Sequence, residues 1–245
     1  MVHAVVLSHY PQYEREAVNS VLTADRVLVV RDFPDEIIYE HENVDVQKLP
    51  GCTLEEAFTY SVNHIPRGDW ILFVDGDDYM TNDWFTTKIR SSKYSMVKFN
   101  PIMNFLSIGA KRLVPKICQR HLDWHSTGTM MVNDDIKFYG NYSLDKQLVF
   151  NTLNKSDGIL WIKGGMEKRY HEGSRMVAKT KVMWNESYKI FERMMNDANT
   201  ESAKLYAEYN MINNAVLSGI PMGTKPLKLF LKGYRMPLYN MLRRK

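Results

Sequence analysis

The sequence predicts an α/β fold with a mostly parallel central sheet, helices on both faces of the sheet and a helical C-terminal part. Two features indicate this arrangement. Short apolar, β-branched runs alternate with helical stretches over the first 80 residues, and the connections between them are short. A long, mostly helical region follows at 177–217. The 245 residues, 44% of them hydrophobic, are enough for one large domain or two small ones.

Three strands and two helices make up the predicted first part. The strands are Val2–Ser8, Arg26–Arg31 and 70–74, each a run of apolar residues that ends at polar or turn-forming residues. The first helix follows the turn at Pro11, where apolar residues recur at helical spacing from 17 to 22. The second helix is predicted over 53–65, with Thr53 and Glu56 as a capping box.

The later elements are shorter, and their pattern predicts a mixed region. Strands are expected at 94–99, 112–118, 127–132 and 159–162, and a helix at 144–153. The helical region at 177–217 is expected to break near 197–200. We therefore expect a parallel-sheet part at 1–80, a mixed region at 81–175 and a helical extension at 176–245.

Charge and cysteine content exclude several classes of protein. The net charge is +4, but seven of the 32 Lys and Arg residues lie at 223–245, where Asp and Glu are absent. Residues 1–222 are therefore slightly acidic, which argues against a nucleic-acid-binding surface that extends over the whole fold. No apolar run approaches the roughly 18 residues of a membrane span, and two cysteines form no disulfide framework. A reducing, cytoplasmic location is the expectation.

An acidic cluster follows the third predicted strand. Asp75, Asp77 and Asp78 come directly after the run WILFV, with Gly76 allowing a sharp turn. Ligands bind beyond the carboxyl ends of the strands in open α/β sheets, and clustered carboxylates repel one another unless a cation or strong hydrogen bonds compensate their charge. Oxygen ligands of this kind suit Mn²⁺ or Mg²⁺. The alternative is an ordinary turn rich in aspartate.

The segment GDWILFVDGDD resembles the Asp-x-Asp motif of family 2 glycosyltransferases, which have the GT-A fold. VVLSHYPQ resembles the first strand and turn of that family, and RVLVVRD its second strand. The resemblance covers roughly residues 2–175 and implies a nucleotide-binding half at 1–80 and an acceptor-facing, catalytic half at 81–175. It implies that Ser8, Tyr10 and Asp32 line the nucleotide pocket, that Asp75 binds ribose or metal, and that Asp77 holds the metal at the diphosphate. The implied donor is a nucleotide-sugar, with UDP as the expected nucleotide.

The chain departs from the family pattern in two segments. Thr59 and Tyr60 stand where the family commonly has an Arg-Asn pair, and the second strand ends in the single acid Asp32. These departures bear on which nucleotide and sugar are bound more than on the class of reaction.

An acid at the start of the predicted helix 144–153 resembles the catalytic base of the same family. Asp145 is the closest match in the segment GNYSLDKQL. An inverting transfer needs a carboxylate to take the proton of the acceptor hydroxyl. Asp134 and Asp135 are the rival residues for this role. The alternative for Asp145 is an acid that only interacts with the helix dipole.

The segment KRYHEGS resembles a family motif that contacts metal and phosphates. Arg and Tyr are transposed here relative to that motif. By this resemblance His171 completes the metal site or lies by the diphosphate, and Arg169, Ser174 and Arg175 are the weaker candidates for binding phosphate. A histidine with a purely structural role is the alternative. The segment HLDWH at 121–125 is either a sugar-stacking part of the acceptor pocket or ordinary core and loop.

The C-terminal segment predicts a basic amphipathic helix. Its apolar residues share one face and its basic residues lie beside them; the set is Leu227, Phe230, Leu231, Tyr234, Leu238 and Met241, with Lys228, Lys232 and Arg235. Three interpretations remain open: peripheral membrane contact through 225–242, packing on the core, or binding of DNA phosphates.

The predicted function is transfer of a sugar, with inversion, to an acceptor hydroxyl. A lipid-linked or envelope glycan and a hydroxymethylated base of phage DNA are the two acceptors considered. A sugar-phosphate nucleotidyltransferase is disfavoured because the loop after the first strand has no glycine. A catalytically inactive GT-A protein that only binds nucleotide or carbohydrate is the non-enzymatic alternative.

Overall fold

The structure of the chain is a computed structural model that describes residues 1–34, 36–81, 95–100, 129–155, 160–163, 165–169, 181–231 and 242. Its strands are Val2–Ser8 (β1), Arg26–Arg31 (β2), Val44–Lys48 (β3), Trp70–Asp75 (β4), Asp78–Met80 (β5), Met96–Asn100 (β6), Thr129–Val132 (β7), Leu160–Lys163 (β8) and Met166–Lys168 (β9). Its helices are Pro11–Asn19 (α1), Leu54–His64 (α2), Leu144–Lys155 (α3), Lys181–Asn196 (α4), Glu201–Ser218 (α5) and Lys225–Leu231 (α6).

The main sheet is mostly parallel on the side formed by the N-terminal strands. The described strands follow the order β3-β2-β1-β4-β7-β6-β8. β1, β2, β3 and β4 run parallel to one another, β7 is antiparallel to β4 and β6, and β8 is parallel to β6. A separate antiparallel pair joins β5 to β9. The register pairs Ser8 with Arg31 and Leu7 with Asp75, so β1, β2 and β4 end at the same edge.

Helices cover both faces of this sheet. On one face, Ala17 and Val18 of α1 belong to the same buried cluster as alternate residues of β1, β2 and β4. On the other face, Phe58 of α2 packs against Phe73 of β4, with ring centroids 4.7 Å apart. The capping box at the start of α2 is confirmed, because Thr53 Oγ1 accepts the Glu56 N–H at 3.2 Å and the Glu56 carboxylate accepts the Thr53 N–H at 2.7 Å.

Most predicted elements are confirmed, with small shifts at their ends. β1 and β2 have the predicted bounds, β4 is one residue longer, and the predicted break at 197–200 separates α4 from α5. Strands β3, β5 and β9 were not predicted from the sequence. β3 is a partly exposed edge strand with polar residues, and β5 and β9 have only three residues each. The strand predicted at 112–118 lies outside the described residues.

The described residues fall into two compact units. The first is drawn from 1–112, 125–138 and 158–169, and the second from 113–124, 139–157 and 170–245. The second contains α3 to α6. Within it, Thr200 caps α5 by accepting the Ala203 N–H, and α5 ends at Gly219, whose φ is 87°. Among the residues that the structure describes, no helix has the length and apolar character to cross a membrane. The predicted boundary at residue 175 stays a prediction.

Candidate active site

The carboxyl ends of β1, β2 and β4 bring together residues that are far apart in the chain. The Asp32 N–H donates to the Ser8 carbonyl at 3.2 Å, and the Gly76 N–H donates to the Leu7 carbonyl at 2.8 Å. Ser8, Asp32 and Asp75, which the sequence assigned to one site, therefore lie on three adjacent strand ends. This is the edge at which open α/β sheets bind their ligands.

The three aspartates after β4 form a tight cluster. One carboxylate oxygen from each of Asp75, Asp77 and Asp78 lies within 4.8 Å of the other two. Asp75 and Asp77 are half-buried, whereas Asp78 is 1% exposed and its Oδ1 accepts the Arg169 N–H at 3.0 Å. A set of hard oxygen donors this close together fits a divalent cation such as Mn²⁺ or Mg²⁺. Asp75 and Asp77 are the more accessible pair for holding it.

Gly76 lets the end of β4 approach β1 closely. A Cβ atom at this position would lie 2.8 Å from the Ser8 Cα and 3.0 Å from the Leu7 carbonyl oxygen, both of them backbone atoms. Real Cβ atoms essentially never make a contact of 2.8 Å, and one of 3.0 Å is tighter than nine in ten of their contacts. Glycine is required here for close packing of two backbones, and this packing sets Asp75 and Asp77 beside Ser8.

The turn after β1 contributes a residue that the sequence analysis did not assign. His9 Nδ1 forms a short hydrogen bond with Asp32 Oδ2, and the His9 ring contacts the Tyr10 ring edge-on at 5.0 Å. The His9 side chain is 47% exposed and that of Asp32 16% exposed. Ser8 is buried, and its hydroxyl has no hydrogen-bond partner among the described residues. The position of His9 between Ser8 and Tyr10 was the available signal.

Arg169 lies on the surface of α1 and β5 beside the aspartate cluster. Its guanidinium forms an ion pair with Glu16 and lies 4.6 Å from the centroid of the Tyr13 ring and 5.6 Å from that of Tyr79. The hydrogen bond to Glu16 raises the pKa of Arg169. The role of Arg169 in binding phosphate stays a prediction.

The predicted base and its rivals lie in different units. Asp145 is in the first turn of α3, in the second unit. Asp134 and Asp135 follow β7 in the first unit, where Asp135 forms an exposed ion pair with Arg67 at 2.6 Å. The other predicted site residues fall outside the described part of the chain; they are His121, Trp124, His125, His171, Ser174 and Arg175.

Comparison with known proteins gives a match in structure only. No family model and no curated sequence matches the chain. The mannosyltransferase PcManGT from Pyrobaculum calidifontis, solved with GDP-Man and Mn²⁺, aligns with a TM-score of 0.56 at 9% identity over 98% of this chain and 84% of its own. GalNAc-T7, solved with UDP, GalNAc and Mn²⁺, aligns with a TM-score of 0.52 at 12% identity over 96% of this chain. The chain has the GT-A fold.

The GT-A fold predicted from the sequence is therefore confirmed. The chain spans 55% of the length of GalNAc-T7. At 9–12% identity these similarities establish the fold alone. Membership of family 2 stays a prediction, and the activity rests on the residues of this chain.

Proposed function

We propose that the chain is a metal-dependent glycosyltransferase that moves a sugar from a nucleotide-sugar to an acceptor hydroxyl. The observation that carries this proposal is the cluster of Asp75, Asp77 and Asp78 beside Ser8 and Asp32 at the ligand-binding edge of a GT-A sheet. The two structural neighbours reported above were each solved with Mn²⁺ and a nucleotide or nucleotide-sugar, which supports the same assignment.

Each residue has a proposed task in this reaction. Asp75 and Asp77 would hold Mn²⁺ or Mg²⁺, with His171 as a further ligand, and the bound cation supplies positive charge that stabilises the departing diphosphate. Asp145 accepts the proton of the acceptor hydroxyl. At the same time the hydroxyl oxygen of the acceptor forms a bond to the anomeric carbon of the donor sugar. The bond from that carbon to the diphosphate breaks on the opposite side, which inverts the configuration.

The nucleoside portion of the donor is proposed to bind at the ends of β1 and β2. Ser8, Tyr10 and Asp32 line this region, and His9 is added to them because it is hydrogen-bonded to Asp32. UDP is the proposed nucleotide. Arg169 and Ser174 are proposed to contact the phosphates.

Calorimetry with a matched pair of variants tests the proposal. UDP-, GDP-, CMP- and dTDP-sugars are titrated into the protein with Mn²⁺, and donor hydrolysis is followed in parallel. We expect one donor to bind and to be hydrolysed slowly, with both signals lost in EDTA and reduced at least ~100-fold in Asp77→Asn, since a charged ligand of the cation is removed. Asp45→Asn removes one negative charge from the exposed edge strand β3 and is expected to behave as the wild type.

Absence of binding by every donor with Mn²⁺ or Mg²⁺ would overturn the proposal. Binding without hydrolysis, and without transfer to any acceptor, would instead support a GT-A protein that only binds its ligand. Failure to bind a donor and binding without hydrolysis can be distinguished, because both binding and hydrolysis are measured on the same samples.

The proposed acceptor is a lipid-linked or envelope glycan reached at an anionic membrane surface. Support comes from α6, where Leu227 and Leu231 are 45% and 78% exposed, Lys228 is exposed beside them and Leu229 is buried. Sedimentation with phosphatidylglycerol vesicles should carry the protein down, and Leu227→Asp/Leu231→Asp should not sediment. Binding to duplex DNA that falls steeply with salt would favour the DNA-base acceptor instead.

A further inference from the structure

A buried ion pair joins α1 to the end of β2. Glu14 is 0% exposed and Arg31 is 1% exposed. Arg31 Nε donates to Glu14 Oε2 at 2.9 Å, and Arg31 Nη2 donates to Glu14 Oε1, so the pair is bidentate. Tyr39 Oη donates to Glu14 Oε1 at 2.8 Å, and Arg31 Nη2 also donates to the Ile37 carbonyl at 3.2 Å. The hydrogen bond from Arg31 to Glu14 raises the pKa of Arg31.

Stability alone is a weak reason for such a pair. Removing two charges from water is costly, and apolar residues of similar size often replace a buried ion pair without loss of stability. Unlike apolar residues, the ion pair fixes an orientation, because a bidentate guanidinium–carboxylate contact holds two planar groups in one position relative to each other. The locations of Glu14 and Arg31 in the fold indicate which segments the pair orients.

Both residues adjoin the proposed nucleoside site without belonging to it. Glu14 lies in α1, four positions after Tyr10, and α1 begins directly after that residue. Arg31 is the last residue of β2, is paired with Ser8 in the register and precedes Asp32. The Arg31 carbonyl also accepts the Leu49 N–H at 2.8 Å, which holds the end of β2 from its other side.

We propose that Glu14 and Arg31 are positioning residues for the donor site. By joining the first turns of α1 to the end of β2, they hold the connection that carries His9 and Tyr10 in place against Asp32 before any ligand binds. This inference rests on the proposed function for the identity of the ligand. The way in which the pair holds the connection with His9 and Tyr10 against the end of β2 does not depend on which ligand binds.

A double variant separates positioning from simple packing. Glu14→Leu/Arg31→Met removes both charges and retains most of the side-chain volume, so the fold is expected to survive with a Tm within about 5 °C of the wild type. The matched control is Glu36→Leu/Lys48→Met, which removes an ion pair on the surface of the same unit, 3.0 Å between Lys48 Nζ and Glu36 Oε1.

The first measurement is amide hydrogen exchange on the full chain without ligand. Two amides report on the segments: the Asp32 N–H, bonded to the Ser8 carbonyl, and the Tyr13 N–H, bonded to the Tyr10 carbonyl. We expect both to exchange at least ~10-fold faster in the double variant and at the wild-type rate in the control. Unchanged exchange at both amides would overturn the inference.

The second measurement is the affinity for the donor that the wild type binds, in the presence of Mn²⁺. The dissociation constant is expected to rise about 10-fold in the double variant and to stay unchanged in the control. An unchanged constant would show that the pair is structural only. If no donor binds the wild type, the proposed function fails, whereas the exchange data still decide the positioning. Should the double variant not fold, Glu14→Gln, which keeps the shape of the side chain, is measured in the same way.

Discussion

Replacing Gly76 with alanine is expected to separate β4 from β1 at the aspartate cluster. The added Cβ would lie 2.8 Å from the Ser8 Cα and 3.0 Å from the Leu7 carbonyl oxygen. Ordinary van der Waals contact begins at 3.4 Å, so one backbone must move by about half an ångström. Neither strand moves freely, because Leu7 accepts the Gly76 N–H and Ser8 accepts the Asp32 N–H.

The size of the effect follows from this forced movement. Overpacking of a close contact costs about 1–3 kcal/mol, and in a chain of this size each kcal/mol lowers the Tm by about 2–4 °C. We therefore expect the Tm of Gly76→Ala to fall by roughly 2–12 °C. The proposed metal site must be held to within about 0.5 Å. A backbone movement of that size reaches this limit, so the affinity for Mn²⁺ is expected to fall by about 10-fold or more.

Differential scanning fluorimetry with and without Mn²⁺ measures both effects. Gly68→Ala is the control: Gly68 precedes β4, its φ is +87°, and a Cβ there would meet nothing within 4 Å. Alanine at that φ is strained by about 1–2 kcal/mol, so the control should lose similar stability and keep the Mn²⁺ response. A Gly76→Ala protein with wild-type Tm and wild-type Mn²⁺ response would refute the reasoning.

Three further variants test other parts of the fold. Asn133→Ala should cost about 2 kcal/mol in urea unfolding, because the buried Asn133 amide donates to the Val62 and Ile65 carbonyls at 3.0 and 2.6 Å. Thr200→Ala should cost about 1 kcal/mol by removing the cap of α5, whereas an unchanged midpoint would show that the cap is not needed. Hydrogen bonds from Thr53 lower the pKa of Glu56, so its contribution is present above the pKa of the unfolded carboxyl and is lost as the pH falls through the folded value. The Tm difference between wild type and Glu56→Ala should therefore vanish in acid, and a difference independent of pH would contradict this.

Periodic patterns predicted the elements that bury an apolar face. β1, β2 and α2 were found from their own residues, because continuous β-branched runs and a capping box are local signals. β3 was missed because it alternates Val44 and Val46 with polar residues on a partly exposed edge. β5 and β9 were missed because strands of three residues carry no period.

The candidate site was predicted where its residues are adjacent in the chain. Asp75, Asp77 and Asp78 share one turn, so their closeness and the possibility of a cation site follow from the sequence. His9 was not assigned, since its partner Asp32 is 23 positions away. The contact between Arg169 and Asp78 spans 91 positions, so its geometry follows only from the pairing of β5 with β9.

The fold class, the main strands and the acidic cluster follow from the amino-acid sequence, because hydrophobic period and neighbouring side chains act over a few residues. Three features became visible only in the folded chain: which strand ends lie together, why Gly76 lacks a side chain, and the meeting of Glu14 and Arg31 in the interior. These contacts depend on the order of strands in the sheet, and that order is set by packing between segments far apart in the chain.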